Sequence, residues 1–329
     1  MMSGDEAPDE VRLTNLDQPL FDGAEASKRD LVEYLDAARG RILPELRGRP
    51  LSVIRVLRGQ RPFMQKNLPK YAPPWLRRVT VWAESSRREV TYALCEDRRS
   101  LLWFANQRAI EYHPTLVRAE RWDRSTHLVL DIDPPEGGPF STAVSAALLV
   151  AAALAEVGMA GAVKTSGAKG LHVFTPIEQT PIEDAAAATR ALAARAERLD
   201  PKLATTAFIR EDRGGKVFLD STRAGGATVV AAYSPRARPG TPVSFPVAWD
   251  DLERVTPADF TIRNASALLA DSNPWVELMP APQPLAPALV EEGHKIPVAR
   301  VQAMHEGKRR ARAQRAAARA ATEDSPPPP

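Results

Sequence analysis

Between residues 126 and 220, short apolar runs alternate with longer, alanine-rich stretches. The runs at 128–133, 161–165, 171–177 and 216–220 have the length and composition of buried strands. The stretches at 140–157 and 183–199 read as packed helices, the second amphipathic. Pro134 and Pro135 close the first run, because proline cannot extend a ladder, and a tight glycine-bearing turn joins the second and third. Upstream, Ser27 and Asp30 stand as N-cap and third position of a helix over 28–39 that stops at Gly40. Runs at 51–57, 79–83 and 89–94 read as strands and 100–109 as a short helix. Downstream, 228–234 reads as a strand, 246–251 as the start of a helix or turn, and 280–287 as a proline-rich connection.

The order β-α-β-β-α-β predicts an α+β protein whose central sheet is ferredoxin-like, or RNA-recognition-motif-like, packed with a second, mixed, β-rich N-terminal unit. The expected organisation is a disordered segment at 1–10, a β-rich half at 11–125, a catalytic half at 126–290 and a tail at 291–329. In this topology the fourth strand lies beside the first, and the third lies on the first strand's other side. Asp131 and Asp133 are two apart and share one face of the first strand. Asp220 on the fourth strand becomes their neighbour, and His172 on the third faces the same cluster. Clustered carboxylates repel one another, and divalent cations relieve that repulsion through hard oxygen ligands. An Asp-Pro turn that merely ends the strand is the simpler alternative for an isolated Asp-x-Asp.

Composition narrows the class. Hydrophobic residues make up 44% and charged residues 26% of 329, as in ordinary globular proteins. The single cysteine, Cys95, excludes an intrachain disulfide framework and a multi-cysteine zinc site, and reads as a small core residue. The run at 143–157 is too short and too alanine-rich to span a bilayer, and the N-terminus has no apolar core, so a cytoplasmic, nucleoid-associated protein is expected. Net charge is only +3; distribution carries more, because residues 308–319 hold six basic side chains and no acidic one. That tail fits either nonspecific phosphate binding or an inert solvated segment.

The turn Ser166-Gly167-Ala168-Lys169-Gly170-Leu171-His172 could bring amides and Ser, Lys and His donors to phosphate oxygens, or be an ordinary hairpin. Taken with Leu130-Asp131-Ile132-Asp133-Pro134, Lys164-Thr165, Phe218-Leu219-Asp220 and the run from Tyr233 to Gly240, it resembles the archaeo-eukaryotic primase superfamily, most closely the polymerase domain of bacterial DNA ligase D. Leu13-Thr14-Asn15, Ser27-Lys28 and Phe63-Met64-Gln65-Lys66 extend the resemblance, which covers about residues 11–285.

The resemblance implies a template-directed polymerase that fills gaps and extends broken ends in non-homologous end joining, with a preference for NTPs over dNTPs. It implies two divalent ions (Mn or Mg) on Asp131, Asp133 and Asp220. Ser166, Lys169, His172, His113 and Arg236 are implied at the nucleotide, with Arg238 a further candidate. Lys28, Lys66 and Phe63 are implied at DNA ends or a gapped duplex bearing a 5′-phosphate. Ku and a separate ATP-dependent DNA ligase are the implied partners, since no ligase or nuclease segment follows. Family members carry a basic residue where this chain has Gln18, which together with the lysine at position 28 binds the 5′-phosphate; Met64 stands where an aromatic is common. Weaker recognition of phosphorylated gaps and weaker template stacking are expected. His127 has no such match and reads as structural, as do most of Trp75, Trp82 and Trp103. A non-catalytic DNA-end-binding module is the competing reading. An Asp-nucleophile phosphatase is disfavoured, because Pro134 and Pro135 stand where a small hydroxylated residue is required.

Overall fold

The computed structural model describes residues 11–83, 87–224, 227–269 and 272–298. The expected disorder at 1–10 and the basic segment at 308–319 lie outside the described residues.

Two helices open the chain. Ser27 caps α1 (Lys28–Ala37) through a reciprocal capping box with Asp30. The helix does not run on to Gly40: a break at Ala38 starts α2 (Arg39–Leu46), which contains both Gly40 and Pro44. A first sheet follows, built from β1 (Pro50–Arg55), β2 (Phe63–Gln65), β3 (Arg78–Ala83), β4 (Arg88–Leu94) and, after α3 (Arg98–Asn106), β5 (Ala109–Pro114). Its path is β2-β1-β4-β3, with β5 on the other side of β1.

The second sheet carries the expected topology. It comprises β6 (Val117–Arg118), β7 (Arg121–Asp133), β8 (Ala162–Thr165), β9 (Leu171–Pro181), β10 (Ala204–Thr205), β11 (Val217–Asp220) and β12 (Pro246–Val247). The order β10-β11-β7-β9-β8-β12 sets the fourth strand of the motif beside the first and the third on its other side. The crossover helices α4 (Phe140–Ala155) and α5 (Ile182–Leu199) pack on each other and against β7 and β9. Leu128, Leu130 and Ile132, alternating along β7, are buried in the core. The chain is thus the α+β, RNA-recognition-motif-like fold expected, with a β-rich N-terminal unit beside it.

Residues 228–234 do not form the expected strand. They form one bridge, Thr228 to Thr115 just past β5, and touch β5 through the amides of Val229 and Ala231, which donate to the Pro114 and Tyr112 carbonyls. Tyr233 then takes φ +65°, a left-handed conformation that ends any ladder. Residues 246–251 form β12 and the start of a 3-10 turn, Trp249–Arg254. The last elements are α6 (Ala265–Leu269), α7 (Pro274–Leu278) and α8 (Pro287–Lys295), and α8 lies along α5. A Cβ on Gly293 would meet the Ala187 carbonyl at 1.8 Å, so glycine permits that close approach. Glu292 of α8 accepts from Arg195 at 2.6 Å and from Arg198 at 3.0 Å. Among the described residues, no helix is long and apolar enough to cross a membrane.

Candidate active site

Register alone assembles the centre. Asp220 of β11 stands opposite Asp131 of β7, Asp131 stands opposite His172 of β9, and His172 stands opposite Lys164 of β8. Partners in a ladder share a face, so these four side chains form one row across four strands. Asp133, two residues beyond Asp131, shares its face. Lys164 reaches Ser244, and the hairpin beside it touches Arg236, so this face turns towards the 234–245 segment rather than the crossover helices.

The row is electrostatically graded. Burial opposes ionisation of Asp131, but His172 Nε2 at 3.3 Å and the Arg223 guanidinium at 3.1 Å outweigh it and hold the carboxyl well below the usual carboxylate range. Burial, and then the like charge of Asp131, push Asp133 up to about 6; Asp220 adds to the effect. Asp220 accepts from the Thr222 amide at 2.8 Å and lies 3.6 Å from Arg223 Nε. Burial and then Lys164 lower His172 to about 4, so its imidazole is neutral near pH 7. Lys164 is itself fully buried, and burial with Arg236 nearby sets its pKa well below that of an ordinary lysine.

Among the described residues, no group of three or more His, Cys, Asp or Glu side chains is arranged to hold a metal ion as it stands. The donor chemistry nevertheless fits one. Three carboxylates share a face, one is pushed towards its protonated form by burial and then by the others, and a guanidinium spans two of them as a cation does.

The Ser166–Gly170 hairpin lies beside this row. Ser166 Oγ accepts from the amides of Ala168 and Gly170, both at 3.2 Å, which folds the turn around it. Gly167 has φ +63°, and a Cβ there would strike Arg236 Cγ at 2.7 Å. Lys169 Nζ donates to the Pro134 carbonyl at 3.0 Å and so ties the hairpin to the end of β7. Arg236 donates to the Ser166 carbonyl and lies 3.0 Å from Glu111. Glu111 is 2.8 Å from His113 Nε2 and accepts from the Ala237 amide at 2.9 Å. Burial opposes its charge, yet His113 and Arg236 bring its pKa down to about 2. Burial also lowers His113, against the pull of Glu111. Arg238 is exposed.

The residues implied at DNA lie in the N-terminal half. Phe63 and Met64 on β2 are exposed at 37% and 43%, and Lys66 is exposed as well. The Arg55 guanidinium lies 5.8 Å from the Phe63 ring centroid and donates to Gln65 Oε1 at 2.7 Å. Lys28, by contrast, is 3% exposed, and its ammonium donates to the Thr14 carbonyl at 2.6 Å and Asn106 Oδ1 at 2.7 Å. Gln18 lines a cavity of about 370 Å³ with Asn15, Asp17, Pro19 and Arg58. Of the tryptophans, Trp103 is core and Trp82 is 57% exposed, while Trp75 lies under the Arg99 guanidinium at 4.0 Å. His127 is half-buried with its Nδ1 2.8 Å from Thr126 Oγ1, and desolvation drives it down to about 3. Cys95 is fully buried and its thiol pushed up to about 12.

Sequence reasoning missed Lys164, Arg223, Glu111 and Ser244. Two signals were available: Lys164 opens the motif stretch that ends at His172, and Glu111 stands two residues before His113 on one strand.

Similarity to known proteins agrees with this geometry. The family model of the LigD primase-polymerase domain matches residues 27–275. The multifunctional non-homologous end joining DNA repair protein LigD of Mycobacterium tuberculosis H37Rv is 32% identical over 299 residues, 87% of this chain and 39% of that protein. The bifunctional non-homologous end joining protein LigD of Bacillus subtilis 168 is 33% identical over 259 residues, 77% of this chain and 41% of that protein. The chain therefore spans about two-fifths of the length of these curated relatives. The solved polymerase domain of Mycobacterium tuberculosis ligase D in complex with DNA superposes with a TM-score of 0.76 at 32% identity, covering 83% of this chain and all of that one. With the family match extending over most of the chain and the fold shared over 83% of it, the chain belongs to the LigD primase-polymerase domain family.

Proposed function

We propose that the protein is a DNA-directed nucleotidyltransferase that adds nucleotides at gaps and broken ends in non-homologous end joining. The observation that carries this reading is the row Asp220–Asp131–His172–Lys164, with the Ser166–Gly170 hairpin at its flank. Asp131, Asp133 and Asp220 are the oxygen donors for two divalent ions, Mn or Mg. When bound, such ions would lower the pKa of a primer hydroxyl and offset the charge of a triphosphate. The chain's own part is to position: His172 offers an Nε2–H beside Asp131, while Arg236 and Lys169 set positive charge along the hairpin. Glu111 fixes Arg236 and His113 on the nucleotide side, and Ser166 spends its hydroxyl on shaping the turn.

On the same reading, exposed Phe63, Met64 and Lys66 meet template DNA, and the cavity at Gln18 receives the 5′ end across a gap. NTPs are preferred over dNTPs, and Ku and an ATP-dependent DNA ligase are the partners, in a cytoplasmic, nucleoid-associated setting. The organisation proposed is a β-rich half at about 11–125, a catalytic half at about 126–290 and a basic tail beyond. One observation favours a non-catalytic end-binding module instead: Arg223 already compensates Asp131 and Asp220 without a metal. Primer extension on a gapped duplex with Mn²⁺, comparing NTPs with dNTPs, separates the two. Incorporation by the wild type that Asp131→Ala abolishes supports the enzyme. End binding without incorporation leaves the recruitment module.

A further inference from the structure

Arg223 occupies a position that the proposed chemistry leaves unexplained. It sits on the short 3-10 turn Thr222–Ala224, directly after Asp220 ends β11. Its NH2 donates to Asp131 Oδ2 at 3.1 Å and its Nε lies 3.6 Å from Asp220 Oδ2. One planar cation thus bridges the two carboxylates that stand opposite each other in the β7–β11 ladder. On the far side of Asp131, His172 brings its Nε2 to 3.3 Å. The Arg223 side chain remains 38% exposed, whereas those of Asp131 and Asp220 are 12% and 9% exposed. The acids are fixed by strands, whereas among the described residues the guanidinium's ion pairs are with these two carboxylates, from a short turn.

We infer that Arg223 is a built-in counter-cation that holds Asp131 and Asp220 apart from a metal ion and must leave them for one to bind. The inference rests on the metal reading above. A guanidinium and a divalent ion cannot share the same carboxylate oxygens, because their charges repel at contact distance. The two are therefore mutually exclusive ligands of one site, and removing either favours the other. The arrangement explains how three clustered acids persist in the metal-free chain, and why they do not form a ready cage there. It also sets a threshold: metal affinity is reduced by the free energy of the Arg223 contacts.

The test uses the full chain and Mn²⁺ alone, with free Mn²⁺ read by electron paramagnetic resonance and stability by thermal unfolding. Arg223→Gln is expected to bind Mn²⁺ roughly tenfold more tightly than wild type. Its metal-free Tm should fall, and its rise in Tm on adding Mn²⁺ should exceed that of wild type. Arg223→Lys, which keeps a cation but not the fork, should lie between the two and serves if the glutamine variant does not fold. At about 0.5 M KCl the gain should persist, because a contact is being removed rather than a distant field. Unchanged or weaker Mn²⁺ binding by both variants, or a gain erased by salt, overturns the role of Arg223. Failure of wild type and both variants to bind any Mn²⁺ that Asp131→Ala does not bind overturns the metal reading itself.

Discussion

Lys164 Nζ lies 2.7 Å from His172 Nδ1, across neighbouring strands and out of contact with solvent. The same nitrogen donates to Ser244 Oγ at 2.6 Å, and Ser244 in turn donates to the Thr165 carbonyl at 2.7 Å. The Asp131 carboxylate beside Nε2 calls for the imidazole proton there, which leaves Nδ1 to accept from Lys164. Lys164→Met keeps the volume and removes a buried amine, so stability should hold or rise. Nucleotide incorporation should fall by about 10- to 100-fold as the tautomer is released, the usual loss when the hydrogen-bond partner that orients a site histidine is removed. The ¹⁵N shifts of the His172 ring read the tautomer directly. Ring shifts identical in Lys164→Met and wild type would show that the lysine does not set it.

Asp133 makes metal-free stability depend on pH in a predictable direction. Its pKa is about 6 in the folded chain against an ordinary value of 3.8. Below 3.8 both states carry the proton and there is no effect. As pH rises from 3.8 to about 6 the unfolded chain releases the proton and the folded chain retains it, so stability falls; above 6 the penalty is complete. Asp133→Asn removes this penalty. Metal-free, it should be more stable than wild type at pH 7.5 by about 1–2 kcal/mol after allowing for partial exposure, with the gap closing towards pH 4. The variant should also lose most of any Mn²⁺-induced rise in Tm. A constant gap between the two Tm profiles across this range would contradict the assignment.

The row of acids was legible because two constraints coincide. Proline after Asp133 fixed where β7 ends, and the β-α-β-β-α-β order fixed which strands flank it, so Asp220 and His172 had only one place to go. Lys164 was not legible as a functional residue: a lysine in an apolar strand reads as solvent-facing, and only its register opposite His172 gives it a partner. Arg223 lies on a turn with no periodicity, and its role depends on side-chain reach. The Val-rich run at 228–234 misled for the opposite reason. Its β-branched composition promised a ladder, but the left-handed Tyr233 breaks it and sends the chain back over the site, bringing Ser234 and Arg236 with it. Lys28 was legible as a first-turn helix residue but not as a buried one, since its partners Thr14 and Asn106 are distant in sequence.

Gly170 marks where the hairpin meets the strand of acids. A Cβ there would lie 2.0 Å from the Ile132 carbonyl oxygen, between Asp131 and Asp133. Gly170→Ala must therefore push β9 away from β7 at the centre of the row. It should cost about 1–3 kcal/mol in chemical denaturation and lower incorporation more than stability alone explains. Gly40 gives the contrast. It lies inside α2 with nothing within 4 Å of a built Cβ, so Gly40→Ala should stabilise by about 0.5–1 kcal/mol without affecting incorporation. Equal stability changes in the two variants would remove the distinction between a crowded and an open glycine.

Gln18 tests 5′-phosphate recognition separately from the chemistry. It shares its cavity with Arg58, and also with Asp17, whose charge is partly met by Arg29 at 2.8 Å. Lys28 has two of its three ammonium donors committed to Thr14 and Asn106, so one donor at most remains for a phosphate. A second cation in the cavity should therefore add more than a change at Lys28 can. Gln18→Arg is expected to tighten binding to a 5′-phosphorylated gapped duplex by about three- to tenfold, with a salt slope steeper by about one ion. Binding to the same duplex with a 5′-hydroxyl should change far less. Lys28→Ala should instead show its main effect as lost stability, because it removes the ammonium that ties the start of α1 to Thr14 and Asn106. Equal gains on phosphorylated and unphosphorylated gaps would mean that the new arginine only adds general positive charge, and that the 5′-phosphate binds elsewhere.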